Sequence, residues 1–400
     1  MPVDLEMSPF PATVNGQRQE IYARLAEAGT VHRITMPSGM PAWLVTGYDE
    51  VRMSLADPRL VKQGPLIPAA AALPPEIDRA MNSDLLHLDP PDHTRLRRLV
   101  SAAFTRRRVD DLAPRMTQVA DQLLDAMGDA GRPGPVDLLD AYAFPLPMTV
   151  ICELLGVPAE DAACFRGLST TIVTGSLADQ REWMTAATSL VAYIRSLVEI
   201  KRRNPADDLL SALIASRDGD DRLSQDELTS MVLLLLIAGH ETTVNLIANS
   251  VFVLLQHPEQ LAAVREDRGR LPAVVEEVLR LESPVQVATP RFTTEPVDLG
   301  GVRIPAGQMV FASVLAGGRD RVRFERSDSF DPGRSDLRHV AFGHGIHHCL
   351  GAPLARAEAV IALDRLLSRF PDLRMAVPVD ELTWRPSVLM HGLFALPVLL

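Results

Sequence analysis

The chain has 400 residues, of which 47% are hydrophobic and only 3 are cysteine, and a formal net charge of −11. That charge excludes nucleic acid as the principal partner, and a count limited to Cys152, Cys164 and Cys349 excludes a disulfide framework and fits a reducing, cytoplasmic compartment. Met1-Pro2-Val3-Asp4-Leu5-Glu6 has neither a basic start nor an apolar run, so no signal peptide is expected. The longest apolar run, Met231 to Gly239, is about half of the roughly 18 residues a membrane span needs, so a soluble chain without a membrane partner is expected; a monomer is the expected form.

In chain order, Trp43-Leu44-Val45-Thr46 reads as a strand within 41–56, followed by a helix ending near Asp57-Pro58. Residues 62–86 are rich in Pro and Ala without periodicity, which predicts a long irregular loop. Helices then dominate, over about 92–103, 112–127, 147–155, 180–203, 206–216 and 225–256, from apolar spacing. Gly300-Gly301 between Val297-Asp298-Leu299 and Val302-Arg303-Ile304 predicts a hairpin. Met309 to Val314 reads as an apolar strand, 353–369 as a helix, and 382–399 as strand pieces around Met390-His391-Gly392. No linker or repeat divides the chain. One large domain over 1–400 is expected, mainly α with small β-sheets (α+β).

Ser224-Gln225-Asp226-Glu227 is a capping box, with Ser at the N-cap and Glu three residues on. The helix it opens can run to His257-Pro258, about 30 residues or roughly 45 Å. It is apolar nearly all round from Met231 to Ile237, so burial is expected. Ala238-Gly239-His240-Glu241-Thr242-Thr243 then sets a glycine and several polar groups inside it. That is locally unfavourable and marks a candidate functional site. The plainer reading has these groups facing a polar pocket or bonding back to the preceding turn.

Phe342-Gly343-His344-Gly345-Ile346-His347-His348-Cys349-Leu350-Gly351 places one cysteine in a glycine-rich loop. An amphipathic helix follows, with Leu354, Val360, Ile361, Leu363, Leu366 and Leu367 as its apolar face. A thiolate there is stabilised by the helix N-terminus, and the glycines let something flat and bulky approach the backbone. Three readings are open for Cys349: a buried structural cysteine, a zinc site with His344, His347 and His348, and an axial thiolate to haem iron. Adjacent His347 and His348 fit one metal poorly from so short a loop. Elsewhere, Asp89-Pro90-Pro91-Asp92 signals a helix start, with His93 and Arg97 on one helical face. Arg95 and Arg98 allow the same stretch to be a solvated basic helix. Glu277 and Arg280 form an i,i+3 pair, worth a few tenths of a kcal/mol on a surface.

The order Phe-Gly-x-Gly-x-His-x-Cys-Leu-Gly at 342–351, Ala-Gly-x-Glu-Thr at 238–242 and Glu-x-x-Arg at 277–280 resembles the cytochrome P450 family. The matches spread over 89–351 in family order, and their details resemble the soluble actinobacterial branch that modifies macrolides, other polyketides and steroid-like molecules. The resemblance implies a P450-like single large helical domain, with haem b (iron protoporphyrin IX) as cofactor and Cys349 as the metal ligand. It places His93, Arg97, Arg291 (in Ala288-Thr289-Pro290-Arg291-Phe292) and His347 on the haem propionates. Thr242 would hydrogen-bond dioxygen or an associated water, and Glu241 would relay protons, as the catalytic residues. Glu277 and Arg280 would join Arg334 or its neighbourhood in a buried structural network. His348 has no assigned role. Ala316-Gly317-Gly318-Arg319-Asp320 departs from the family's frequent Ala-Asn-Arg-Asp.

The implied activity is haem-thiolate monooxygenation: one oxygen atom from O2 enters a hydrophobic small molecule, by hydroxylation or epoxidation, in secondary metabolism. Ferredoxin and ferredoxin reductase would supply electrons, docking over Cys349 near Arg97, Arg98, Arg356 or Arg106-Arg107-Arg108. Family positions suggest a substrate pocket lined by parts of 62–86, 165–183, 232–242, 285–291 and 388–394. Ile67, Leu86, Leu168, Ile172, Val173, Leu234, Ala238, Val287 and Leu389 would make it largely apolar, with 62–86 and 165–183 as candidate mobile lids because they are irregular or helix-poor. The rivals are oxidative coupling or peroxide-driven chemistry on the same cofactor, and a zinc-binding hydrolase.

Overall fold

The computed structural model describes residues 4–5, 9–10, 13–14, 16–64, 73–103, 106–129, 134–158, 161–173, 180–218 and 221–400. Among these, the α-helices in chain order are α1 (Gln17–Ala28), α2 (Tyr48–Ala56), α3 (Pro75–Asn82), α4 (Asp92–Ala103) and α5 (Arg106–Asp129). Then follow α6 (Pro145–Leu155), α7 (Ala162–Val173), α8 (Gln180–Arg203), α9 (Leu209–Ala215) and α10 (Gln225–Gln256). The last four are α11 (Pro258–Glu266), α12 (Leu271–Leu281), α13 (Val314–Gly317) and α14 (Ala352–Arg369). The mainly helical expectation with small sheets holds.

The chain forms two compact units. One comprises 1–64, 113–146 and 242–400, the other 65–112 and 147–241. The first carries the larger sheets among the described residues. Its six-stranded sheet runs Asp4–Leu5, Val31–Thr35, Pro41–Val45, Met309–Ala312, Arg291–Thr293, Leu60–Val61. Val310 pairs with Trp43 and Phe311 with Leu44 in parallel, while Val31 opposes Val45 antiparallel. The central strand of this set, Ala42 to Val45, is buried on both faces, which explains its unbroken apolar sequence. The predicted hairpin closes at Leu299↔Val302, and Gly300 and Gly301 both take positive φ, 53° and 75°, as a two-residue primed turn requires.

The second unit is helical, with one small hairpin, Arg217–Asp218 to Asp221–Arg222. Here the structure corrects two loop expectations. Residues 62–86 contain α3, which starts with Pro75 in its first turn and with Glu76 and Asp78 near its N-terminus. Those are helix-start signals, masked in the sequence by the surrounding Pro and Ala. Residues 165–183 contain most of α7 and the start of α8, so that segment is not helix-poor. Residues 65–72 with Ile67, residues 174–179, and the side chains of Val173 and Arg106-Arg107-Arg108 lie outside the described residues.

Helix α10 spans 32 residues, opened by the predicted capping box. Ser224 N donates to Glu227 Oε2 at 2.7 Å, and Glu227 N donates to Ser224 Oγ at 3.2 Å. Its most apolar window has a mean hydropathy of 1.7, enough for a membrane span by composition, yet 67% of that window is buried inside the protein. Burial is not all-round, however. Met231, Val232, Leu233 and Leu236 are buried, Leu234 and Leu235 half-buried, and Ala238 is exposed. Leu234, Ala238 and Thr242 fall four residues apart, so they share one stripe of the helix. Gly239 has a packing reason as well: a Cβ there would lie 2.9 Å from Ile151 Cδ1.

Candidate active site

In the first unit the cysteine loop is a tightly closed turn ahead of α14. Cys349 N donates to Phe342 O at 2.9 Å, and His348 N to Gly345 O at 3.1 Å. Gly343 and Gly345 adopt φ of 75° and 73°, conformations that β-carbon-bearing residues avoid. Gly345 also presses on the last turn of α2, where a Cβ would sit 3.1 Å from Ala56 Cα and from Leu55 O. The Cys349 thiol is in no disulfide and is exposed at the N-terminal end of α14, where backbone N–H groups and the helix dipole favour an anion. Its exposure removes the buried-structural reading. Among the described residues no three His, Cys, Asp or Glu side chains converge as a metal-ion set, so the zinc reading has no ligand set there.

His347 is half-buried and His348 exposed on the same loop. Arg291 heads its strand, 4% exposed, and its Nη2 donates to Leu55 O at 3.5 Å. The last turn of α2 therefore meets both the cysteine loop and Arg291. Arg356, one turn into α14, stacks over Phe342 at 4.4 Å and donates to Glu276 on α12 at 2.6 and 3.0 Å. His339 reaches the same carboxylate at 3.1 Å. Burial opposes the charge on Glu276, but the bonds from His339 and Arg356 outweigh it and hold the carboxyl at about 2. Arg356 thus braces the loop through Glu276 while its side chain stays 40% exposed.

The Glu277–Arg280 pair is wholly buried. Arg280 donates twice to Glu277 at 2.8 Å and also to the carbonyls of Gly318, Ser327 and Ser329 at 2.6, 2.6 and 2.9 Å. Arg334 Nε and the amide of Asp331 both donate to Glu277 Oε1 at 2.9 Å. Glu277 is thereby saturated, which makes the buried charge tolerable, and the irregular chain ahead of the cysteine loop is pinned.

Thr242 is half-buried on the open stripe of α10, whereas Thr243 is buried. Thr243 hydrogen-bonds Glu358 of α14, and burial drives that carboxyl well above its ordinary range, with Thr243 opposing only in part. Glu358 Oε2 has no hydrogen-bond partner. Sequence reading passed over this acid, although a carboxylate four residues from both Leu354 and Ala362 on an apolar stripe is a legible anomaly. Also missed was a buried cluster around His391. Its ring stacks on Trp384 at 4.0 Å and bonds Arg18 through Nδ1 and Glu282 through Nε2, each at 2.5 Å. Burial lowers His391 to about 4 despite Glu282. Val287, expected to line a pocket, is instead fully buried in the core with Phe10, Ile34 and Phe311.

In the second unit His93 and Arg97 share a face of α4. His93 is buried, Arg97 half-buried and Arg98 exposed. Burial lowers the His93 imidazole, Arg97 lowers it further, and Asp89 opposes, so it is neutral near pH 7. Arg95 leaves the basic set by pairing with Glu227 and with Asp221 at 3.3 Å. On α10, Glu241 is 4% and His240 1% exposed. Leu86, Leu168 and Ile172 are half-buried.

These residues fit a flat, dianionic cofactor held through sulfur. The first unit alone supplies an exposed thiol in a glycine-turned loop with a buried arginine against the same turn of α2. A sequence profile of the family described as Cytochrome P450 matches residues 176–390. Cytochrome P450 107B1 of Saccharopolyspora erythraea is 50% identical over 388 residues, covering 95% of this chain and 94% of that protein. The 6-deoxyerythronolide B hydroxylase of the same organism is 44% identical, covering 94% of each. Among solved structures, the tirandamycin C-bound P450 monooxygenase TamI superimposes with a TM-score of 0.87 at 46% identity, covering 95% of this chain and 96% of that one. With its cysteine loop, its α10 motif and its buried Glu-Arg network, this chain belongs to the cytochrome P450 family.

Proposed function

We propose that the chain hydroxylates or epoxidises a hydrophobic small molecule of the macrolide or polyketide type, as one haem-binding domain over 1–400. As a cytochrome P450 it is an oxidoreductase, a monooxygenase with haem b as cofactor. Cys349 would hold the iron, Arg291 and Arg97 would neutralise the propionates, and His93 and His347 would hydrogen-bond them. When bound, thiolate-ligated haem supplies the redox centre where dioxygen is split and one atom passes to the substrate. The protein's part is proton supply and water exclusion. Thr242 offers a hydroxyl on the open stripe, Glu241 would relay protons from a buried position next to it, and Leu234 and Ala238 present apolar surface.

The observation that carries this reading is the exposed Cys349 thiol at the head of α14. Reduced, carbon monoxide-treated holoenzyme is expected to show the red-shifted Soret band of thiolate ligation, and Cys349→Ala to lose it. An unshifted band in the unmodified protein overturns the assignment. Similarity to 6-deoxyerythronolide B hydroxylase and to the tirandamycin C-bound enzyme supports the substrate class. A spin-state titration with 6-deoxyerythronolide B, tirandamycin C, a steroid and myristic acid tests it. A response to myristic acid alone would refute the polyketide reading. Electrons would come from a ferredoxin and its reductase in the cytoplasm, with the monomer as the working form.

A further inference from the structure

His240, between Gly239 and Glu241, has no role in the chemistry above, yet its surroundings specify its protonation. It is 1% exposed. Its Nδ1 lies 2.6 Å from Leu236 O. A carbonyl only accepts, so Nδ1 carries the hydrogen and the neutral ring has its lone pair on Nε2. That Nε2 lies 3.4 Å from Ser169 Oγ on α7 and 3.9 Å from Glu241 Oε2. Ser169 is itself 2% exposed. A hydroxyl donor and a carboxylate acceptor therefore flank one basic nitrogen.

We propose that Ser169 and His240 form a relay that recharges Glu241 with protons, His240 being fixed as the Nδ1–H tautomer by Leu236. The inference rests on the proton-relaying role assigned to Glu241. In one concerted shift Ser169 Oγ–H gives its proton to Nε2 while Oγ takes one from a hydronium ion, which leaves as water. The imidazolium then passes the Nε2 proton to the Glu241 carboxylate, once that side chain turns to close the gap, and the neutral ring returns. No electrons move. His240 and Ser169 act through Glu241 and are positioning residues.

The test uses haem-loaded protein with 15N-histidine, as its reduced carbon monoxide form. Long-range 1H–15N spectra should show an Nδ1–H tautomer for the signal lost in His240→Gln. Its Nε2 shift should move in Ser169→Ala and return in Ser169→Thr. In substrate-free turnover with NADH and a surrogate ferredoxin and reductase, the solvent deuterium isotope effect on NADH oxidation should rise at least about twofold in His240→Gln and Ser169→Ala. An Nε2–H tautomer, or unchanged isotope effects in both variants while Glu241→Gln raises it, overturns the relay alone. If Glu241→Gln also leaves it unchanged, the role of Glu241 falls and the relay with it. Should His240→Gln fail to load haem, Ser169→Ala decides by the same readouts.

Discussion

Glu358 sits 1% exposed against Thr243, its other oxygen without a partner. Its folded pKa lies above the unfolded value, so its contribution to stability is complete below about 4.5 and is lost as pH rises toward the raised value. Glu358→Gln keeps the shape and removes the titration. Thermal unfolding of the variant should match the parent near pH 4.5 and exceed it at pH 8, and a parallel pH dependence would refute the assignment. Thr242 makes a contrasting case, since it is half-buried on an open stripe and not in the core. Thr242→Ala should leave the carbon monoxide spectrum and substrate titration intact while diverting NADH electrons to peroxide. Full retention of product per NADH would show that Thr242 does not manage protons. Both residues were unequally legible: Thr242 stands in a motif, whereas Glu358 required noticing one acid on an apolar face.

Elements were read where local chemistry dominates. The capping box fixed the start of α10, and the Gly-Gly pair fixed the hairpin, because each is satisfied within four residues. Reading failed where composition misleads, as at α3 and α7, whose helices are held by neighbours such as α8 and not by propensity. Gly318 is a case that only tertiary structure explains. It occupies the site of the departure from the family's Asn, and a Cβ there would lie 2.0 Å from the carbonyl of Arg280. Backbone cannot yield as a flexible side chain can, so Gly318→Ala should cost about 1–3 kcal/mol or more as overpacking strain. Chemical denaturation with haem absorbance as a second probe measures it, and a cost below about 0.5 kcal/mol would mean the turn relaxes freely.

For the molecule as a whole, the family was legible because its motifs are chemically constrained, while placement of the substrate-facing residues was not. Val287 proved to be core because both faces of its segment are covered, which no spacing reveals. The Glu277–Arg280 pair looked like a commonplace surface contact by spacing alone, yet both side chains are fully buried. Arg280→Lys keeps the charge but loses the fork that reaches Glu277 and three carbonyls. It should cost about 1.5–3 kcal/mol for each charged hydrogen bond lost and lower haem content of the purified protein. Normal loading with unchanged stability would reduce the network to decoration. A last consequence follows from the amide of Asp331, which donates to the saturated carboxylate of Glu277. Residue 331 belongs to no helix or ladder, so solvent hydrogen ought to replace a deuterium label there within moments. Anchored to an interior anion, it should instead retain deuterium label as long as the sheet does, a slow site stranded in otherwise fast-exchanging coil.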